Sequence, residues 1–153
     1  MEPQPVVLGA LVALTVVVGL VWRRRQGRVR VGAAGRATTQ ASWHADLAAL
    51  GAEPGARATF VQFSAAVCAP CRATARALGE LVATRPGVVH LEVDVEDHLD
   101  LVLRARVLRT PTVVVLDAAG AEAARASGAM TSAQARAALD AVTPVDLPSG
   151  RTA

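Results

Sequence analysis

The chain has 153 residues, which is enough for one domain and a shorter additional segment. Its formal net charge is +3, but six arginines lie from Arg23 to Arg36, and the region from Gln40 to Val145 has nine Arg against eleven Asp or Glu residues. Because the basic residues form one cluster, the charge distribution argues against a nucleic-acid-binding surface. Aromatic residues make up only 3% of the chain, so a core would consist mainly of Val, Leu and Ala.

The first predicted element is an uncharged apolar run from Val6 to Trp22. Its length is at the lower limit for a helix that crosses a bilayer, and Trp22 stands where an interfacial aromatic residue belongs. A cleaved signal peptide would have basic residues before the run and small residues after it, whereas here the arginines follow. A buried core helix would lack a packing partner of similar length. The run therefore predicts one membrane-spanning helix over residues 6–22, after a short extracytoplasmic segment, residues 1–5.

The arginine cluster predicts the orientation of this helix. Positive charge stays on the cytoplasmic side, so everything after Trp22 is expected in the cytoplasm, in a single-pass protein of the cell membrane. The arginines either contact anionic lipid head groups or only set the topology, and the sequence leaves both alternatives open. Residues 23–41 are rich in Gly, Ala, Arg and Thr and lack apolar periodicity, which indicates a linker.

Residues 42–142 alternate between helical and strand patterns, which predicts one α/β domain with parallel pairing first and a terminal antiparallel hairpin. Its first half comprises a helix with Ser42 as N-cap and Trp43, Leu47 and Leu50 on one face, a strand over residues 58–64, a helix that ends near residues 85–87, and a strand over residues 88–95. Its second half comprises a helix capped by Asp97 that carries Leu99, Val102 and Leu103, a buried strand over residues 112–116, a turn over residues 117–120, an edge strand over residues 121–127, and a helix from the Thr131–Gln134 capping box to Val142. Residues 143–153 are expected to form a disordered tail.

The motif that carries chemistry is Cys-Ala-Pro-Cys at residues 68–71, which contains the only two cysteines of the chain. It follows a buried strand and begins a helix, which is the context of a redox-active dithiol. The spacing lets both sulfurs meet across the first helical turn, whose unsatisfied N–H groups stabilise a thiolate. Cys68 is therefore predicted to be the exposed nucleophile and Cys71 the buried partner. Pro70 suits this turn because its missing N–H costs nothing there.

Two other roles for the cysteine pair have less support. Zinc needs four ligands, and His44, His90 and His98 do not lie at a ligand spacing from the pair. A purely structural disulfide across so short a loop would stabilise the fold only weakly. Neither a metal nor a bound organic cofactor is therefore predicted.

With these cysteines and this order of elements, residues 42–142 resemble a thioredoxin-fold domain, with helices on both faces of a central mixed sheet. The Thr110-Pro111-Thr112 sequence is similar to the family segment whose proline is cis and faces the dithiol. The resemblance implies this role for Pro111, and a backbone contact between Thr110 and the substrate chain. It also places Ala69 and Pro70 beside the substrate. Further matches to the family are the strand Leu91-Glu92-Val93-Asp94, the turn at residues 117–120 and Gly128.

The sequence departs from the family pattern around the dithiol. Val67 stands where members commonly have Trp, and Ala69 stands where they commonly have Gly. The family's buried Asp, which assists proton transfer at the buried cysteine, aligns with Gln62, and a Lys that often accompanies it aligns with His90. An amide cannot accept a proton as a carboxylate does. We therefore hypothesise that His90 partly replaces that carboxylate, against the alternative of a half-exposed histidine without a catalytic role.

The resemblance and the apolar run together imply a membrane-anchored thiol–disulfide oxidoreductase. Cys68 would attack a protein disulfide, Cys71 would resolve the mixed disulfide, and a separate electron donor would recycle the dithiol. A cytoplasmic domain is expected to act as a reductase. Two rival functions remain open. One is an extracytoplasmic thiol oxidant or a reductase for cytochrome maturation, and the other is a non-enzymatic module that binds a partner at the Pro111 groove and senses redox state.

Overall fold

The computed structural model describes residues 4–25, 30–31 and 43–143, with side chains described for residues 7–21 and 43–143. The elements in chain order are α1 (Gln4–Arg25), β1 (Arg30–Val31), α2 (His44–Ala49), β2 (Ala58–Ser64), α3 (Ala69–Ala83), β3 (Val88–Asp94), α4 (Leu99–Arg104), β4 (Thr112–Asp117), β5 (Glu122–Ser127) and α5 (Ser132–Val142). The strands form one mixed sheet in the order β1-β5-β4-β2-β3. The strands β2 and β3 are parallel, whereas the pairs β2–β4 and β4–β5 are antiparallel. The predicted parallel pairing and terminal hairpin are thus confirmed.

Helix α1 covers the apolar run near the beginning of the chain. Its described side chains, from Val7 to Val21, are all exposed. Among the residues that the structure describes, no helix combines the length and the apolar character needed to cross a membrane. The membrane-spanning segment over residues 6–22 stays a prediction.

Two helical layers cover the four longer strands of the sheet. On one face, α3 and α5 pack against a cluster that includes Phe60, Val113 and Val115. On the other face, α2 and α4 pack against Val61 and Phe63, and the rings of Trp43 and Phe63 meet edge to face at 6.3 Å between centroids. Because both faces of the central strands are covered, every residue of β2 is buried, as the continuous apolar pattern predicts.

Local signals determine where the elements at the C-terminal end of the domain begin and turn. The Thr131 hydroxyl accepts from the Gln134 N–H, and the Gln134 side chain accepts from the Thr131 N–H at 2.8 Å, so the predicted capping box is present. The hairpin between β4 and β5 turns at Gly120, whose φ of +70° suits a residue without a Cβ. Asp117 accepts backbone N–H bonds from this turn. The predicted turn is thus confirmed.

Helix α4 differs from its prediction in two respects. Its N-cap residue is His98, which makes no side-chain capping bond, so the proposed cap at Asp97 is wrong. The inward residue of α4 is Leu101, whereas Leu99 and Leu103 are 63% and 75% exposed. The helix has only six residues, and its direction relative to the sheet, which the sequence does not specify, decides which of its leucines is buried.

One strand was not predicted from the sequence. Arg30 and Val31, within the expected linker, pair antiparallel with Arg125 and Ala124 on β5. Strand β5, which was predicted to be an edge strand, is therefore paired with β1 at two of its residues. The proposed N-cap Ser42 and the tail beyond Thr143 lie outside the described residues.

Candidate active site

The two cysteines lie at the beginning of α3 and form a disulfide, with 5.2 Å between their Cα atoms. Cys68 is the N-cap residue, and its Sγ accepts a hydrogen bond from the Cys71 N–H at 3.2 Å. Pro70 occupies the first turn, where it leaves no N–H without a partner. In the reduced protein, the Cys68 sulfur would thus face a backbone N–H and the positive end of the helix dipole, and both favour a thiolate.

The exposed fractions of the two cysteines differ in the predicted direction. Both cysteines are buried, Cys68 with 9% and Cys71 with 1% of its surface exposed, so the prediction of an exposed Cys68 is wrong, although Cys68 is the more accessible of the two. Its side chain is turned onto the first turn of α3, where it caps the helix and bonds to Cys71. Access to Cys68 comes from the loop and the first turn around it, since Val67 is 97% exposed and Ala69 and Pro70 are also exposed. A substrate disulfide can therefore reach Cys68 more readily than Cys71.

The Thr110–Pro111 peptide bond is cis, as the family resemblance implies. Pro111 is buried and immediately precedes β4, whose residue Thr112 pairs with Phe63 of β2. Because β2 and β4 are antiparallel, the beginning of β4 lies beside the end of β2, from which the chain continues to Cys68. The structure thus brings the cis proline and the dithiol to the same end of the sheet.

Threonine side chains hold the segments around the dithiol. Thr74 is fully buried; its hydroxyl donates to the Pro70 carbonyl at 2.9 Å and accepts from the Met130 N–H at 3.0 Å. This side chain ties the first turn of α3 to the segment before α5. The Thr112 hydroxyl similarly donates to the Arg109 carbonyl at 2.8 Å and closes the turn around the cis proline.

A polar network extends from beneath the first turn of α3 to the protein surface. Gln62 is fully buried, and its Nε2 donates to the Cys71 carbonyl at 3.0 Å and to the Ser64 hydroxyl at 2.8 Å. The same Nε2 lies 3.2 Å from Oε1 of Glu92, which also accepts from the Ser64 hydroxyl at 2.5 Å. The Gln62 Oε1 lies 3.2 Å from Nε2 of His90. We call these five residues the Gln62 network. They link the backbone of the buried cysteine to an exposed carboxylate.

The hydrogen bonds determine which ring nitrogen of His90 carries a hydrogen. The Cys71 carbonyl only accepts, so the Gln62 Nε2 must face it and the Gln62 Oε1 must face His90. The His90 Nε2 therefore carries the hydrogen and donates. Burial lowers the pKa of His90 below its ordinary value of 6.5, against the smaller opposing effect of the Glu92 charge. His90 is thus mainly neutral at pH 7 and bound to the Gln62 amide, and a proton-transfer role for it stays a hypothesis.

The sequence analysis did not identify Ser64, Glu92 or Thr74 as parts of the site. The alternation of β3 places Glu92 on the same face as His90, which is a weak signal for its inclusion. The strand register that puts Glu92 opposite Gln62, however, results from tertiary pairing. No local pattern in the sequence indicates that Thr74 and Met130 meet.

A cavity of about 360 Å³ lies on the other side of the sheet, along α2 and α4, and no candidate site residue lines it. Within the described part of the chain, no group of three or more His, Cys, Asp or Glu side chains is arranged to hold a metal ion. The dithiol and the Gln62 network are therefore the features from which the chemistry is derived.

Comparison with known proteins identifies the family. The thioredoxin family model matches residues 36–141, so the chain belongs to the thioredoxin family. It is similar to the X-ray structure of Fasciola hepatica thioredoxin, with 31% identity over 65% of this chain and 93% of that one, and a TM-score of 0.56. It is also similar to chloroplastic thioredoxin z, with 25% identity over 64% of this chain and 86% of that one, and a TM-score of 0.54.

A glutamine-for-asparagine mutant of thioredoxin from Halobacterium salinarum is 20% identical over 57% of this chain and 75% of that one, with a TM-score of 0.52, and this similarity supports the fold alone. No curated protein matches the sequence. The family and the Cys68–Cys71 pair together make the protein a thiol–disulfide oxidoreductase. Proteins with this fold act on protein disulfides.

Proposed function

We propose that the protein is a reductase of protein disulfides, anchored in the cell membrane by its N-terminal segment, with the dithiol domain in the cytoplasm. The observation that carries the chemistry is the asymmetry of the dithiol. Cys68 caps α3 beside exposed residues, whereas Cys71 is buried and held by the Gln62 amide. One sulfur is suited to attack an external disulfide, and the other to resolve the product.

The reaction proceeds by two exchanges. The Cys68 thiolate attacks one sulfur of the substrate disulfide, which forms a mixed disulfide and releases the other substrate sulfur as a thiolate. Cys71 then loses its proton and attacks the Cys68 sulfur. The second substrate sulfur leaves, and the Cys68–Cys71 disulfide forms. Two electrons pass from the dithiol to the substrate, whose sulfurs take up two protons. An external dithiol reductase or another thiol donor must then reduce Cys68–Cys71 again.

The anchoring part of the proposal is supported by the sequence around α1. The run from Val6 to Trp22 has no charged residue, and three consecutive arginines, Arg23 to Arg25, follow it. The described side chains of this helix are exposed and almost all apolar, as expected of a helix that needs an apolar surrounding. The basic residues after the run favour a cytoplasmic domain, where thiols are kept reduced and a dithiol enzyme acts as a reductant.

Replacing the resolving cysteine tests the enzymatic proposal. In cells, the full-length Cys71→Ser variant is expected to accumulate mixed disulfides with substrate proteins, seen as bands on non-reducing gels that disappear after reduction. The matched control is the Cys68→Ser variant, which retains one thiol but lacks the nucleophile and should trap none. Equal trapping by both variants, or none by either, would refute the assignment of the two cysteines.

Repeated reduction of a model protein disulfide would distinguish an enzyme from a thioredoxin-fold module that only binds a partner. The purified full-length protein, supplied with dithiothreitol, is expected to reduce a model protein disulfide such as that of insulin over many cycles. Binding of a partner without any turnover would support the non-enzymatic module instead.

A further inference from the structure

A short exposed surface lies where α4 leads into the loop before β4. Leu103 and Leu108 are 75% and 94% exposed, so both of these large apolar side chains face solvent. Arg106 and Arg109 are exposed as well, and within the described part of the chain neither guanidinium has a hydrogen bond or an ion pair. We call these four residues the Arg106 surface. Apolar and basic side chains side by side are typical of a surface that lies on anionic lipid head groups.

The backbone at Arg106 is unusual for an arginine. Its φ is +51°, in the left-handed region that L side chains rarely adopt. Helix α4 ends here, because the Arg106 N–H donates to the Leu103 carbonyl and the Val107 N–H donates to the Val102 carbonyl. Such a helix end usually has Gly at this position. An arginine stands where glycine would fit the backbone better, which indicates that its side chain has a use outside the fold.

Charge is separated along α4. Arg106 and Arg109 follow its C-terminal end, whereas three acidic side chains that line the cavity lie at or before its first turn; they are Glu96, Asp97 and Asp100. Arg104, in the last turn, pairs with Asp46 at 2.7 Å, so this carboxylate does not neutralise Arg106 or Arg109. The C-terminal end of α4 is therefore positively charged, and a negatively charged surface is its complement.

The position of β1 brings this surface close to the proposed membrane anchor. Arg30 of β1 pairs with Arg125 of β5, and the Arg125 guanidinium donates to the carbonyl of Ala105, at the end of α4, at 2.7 Å. Helix α1 ends at Arg25, and the segment from Arg25 to Arg30 can span no more than about 17 Å. The end of α4 is thus joined, through Arg125, to the strand that follows the proposed anchor in the chain.

We propose that the Arg106 surface docks on the anionic lipid head groups of the membrane in which the protein is anchored. The inference rests on the proposed function for the anchor, but it concerns a different part of the chain. The two arginines of the surface contact lipid phosphates, and its two leucines enter the boundary between head groups and acyl chains. Because Arg109 lies two residues before Pro111, docking holds the end of the domain that carries the dithiol near the bilayer.

The test measures how closely the domain approaches the bilayer. Full-length protein, in which Cys68→Ser and Cys71→Ser remove the dithiol and Ser127→Cys carries a fluorophore, is reconstituted in vesicles that contain an acceptor lipid labelled on its head group. Ser127 is exposed and pairs with Thr112, whose hydroxyl bonds to the Arg109 carbonyl, so it lies near the Arg106 surface without belonging to it. One set of vesicles is phosphatidylcholine, and the other also contains anionic phosphatidylglycerol. Energy transfer reports the ratio of docked to undocked protein.

Energy transfer is expected to be higher in the anionic vesicles and to fall when salt is added, because salt screens exposed charges. Arg106→Gly combined with Arg109→Gln should lower the ratio of docked to undocked protein by roughly 25-fold, since each arginine near an anionic surface contributes about fivefold. Glycine suits the backbone at residue 106, so this variant should remain folded. The matched control, Arg76→Gln combined with Arg136→Gln, removes the same charge from α3 and α5, on the opposite face of the sheet, and should leave the ratio unchanged.

Three outcomes would overturn the proposal. Equal energy transfer in the two kinds of vesicle would show that anionic lipid is not the partner, and would leave the Arg106 surface to an acidic protein. Equal losses in the double variant and its control would show that only net charge matters. A lipid dependence that the double variant retains in full would assign the effect to the arginines between α1 and β1, which are the same in every variant.

Flotation of the vesicles after a high-salt wash separates this inference from the proposed anchor. Protein that stays with phosphatidylcholine vesicles, but whose energy transfer does not depend on anionic lipid, would keep the anchor and lose the docking surface. Protein that phosphatidylcholine vesicles do not retain would lack the anchor. If that protein still bound anionic vesicles through Arg106 and Arg109, the docking surface would stand and the proposed anchor would fail.

Discussion

The Gln62 side chain supports the resolving cysteine by a hydrogen bond to the backbone carbonyl of Cys71. Its amide donates to the Cys71 carbonyl and accepts from His90, and it is neutral at any pH at which the protein folds. The support that it provides to the first turn of α3 therefore does not itself titrate. His90 is bound to this amide and has a pKa lowered by burial, so His90 makes this part of the site depend on pH.

The burial of His90 predicts a loss of stability in mild acid. Its pKa is lowered in the folded protein, chiefly by burial, so below about pH 6.5 the unfolded chain binds more protons than the folded one. The stability that neutral His90 contributes is therefore fully present above that pH and is lost as the pH falls. We expect the difference in unfolding free energy between about pH 7.5 and about pH 5.5, measured with denaturant, to be smaller in His90→Gln than in the parent.

The control for this measurement is His98→Gln, which removes a histidine outside the Gln62 network. It is expected to leave the acid-induced loss of stability as large as in the parent protein. A His90→Gln variant with the same pH dependence as the parent would show that His90 does not cause the loss.

At the level of elements, the position of α3 depends on its buried face. Leu78 is fully buried in the cluster with Phe60 and Val115, and so joins the helix that carries the dithiol to the sheet. Thr74, one turn earlier on the same helix, ties it to the segment before α5. The dithiol is therefore presented by a helix that is held at several points along its length.

Truncating Leu78 tests how much this packing contributes. We expect Leu78→Ala to lower the unfolding free energy by about 2–5 kcal/mol. The variant buries less apolar surface on folding, and the cavity left by the missing atoms destabilises the folded state further. The matched control is Leu103→Ala on α4, whose side chain is 75% exposed and whose truncation should change stability by no more than about 0.5 kcal/mol. Similar losses in the two variants, measured by denaturant unfolding, would contradict the described packing.

For the molecule as a whole, the proposed membrane anchor would decide which proteins the dithiol can reach. Cys68 and Cys71 are the only cysteines, so thiol labelling reports on the domain alone. In gently reduced cells, an impermeant thiol reagent is expected to label the protein only after lysis, because the bilayer shields a cytoplasmic domain. A variant without both cysteines measures the background. Labelling of intact cells would reverse the topology and favour a role in oxidative folding or cytochrome maturation.

Much of the fold was predictable because its signals are local. The apolar run of β2, the Val-rich β4, the Asp117–Gly120 turn and the Thr131 capping box each depend on a few neighbouring residues, and all were correctly predicted. Leu101 of α4 was missed, because six residues do not reveal which side of a helix meets the sheet. The strand β1 was missed because two residues pair only when a partner edge is available.

The sequence by itself determined the chemistry: a strand, two cysteines two residues apart and a helix N-terminus are contiguous, and their reactivity follows from that local order. It also indicated the cis Pro111 through resemblance. Only the tertiary structure decided what surrounds the buried cysteine. Gln62 comes from β2, whereas His90 and Glu92 come from β3, and they meet under Cys71 because the register of the two strands aligns them. Such a network depends on distances across the sheet, which no local pattern encodes.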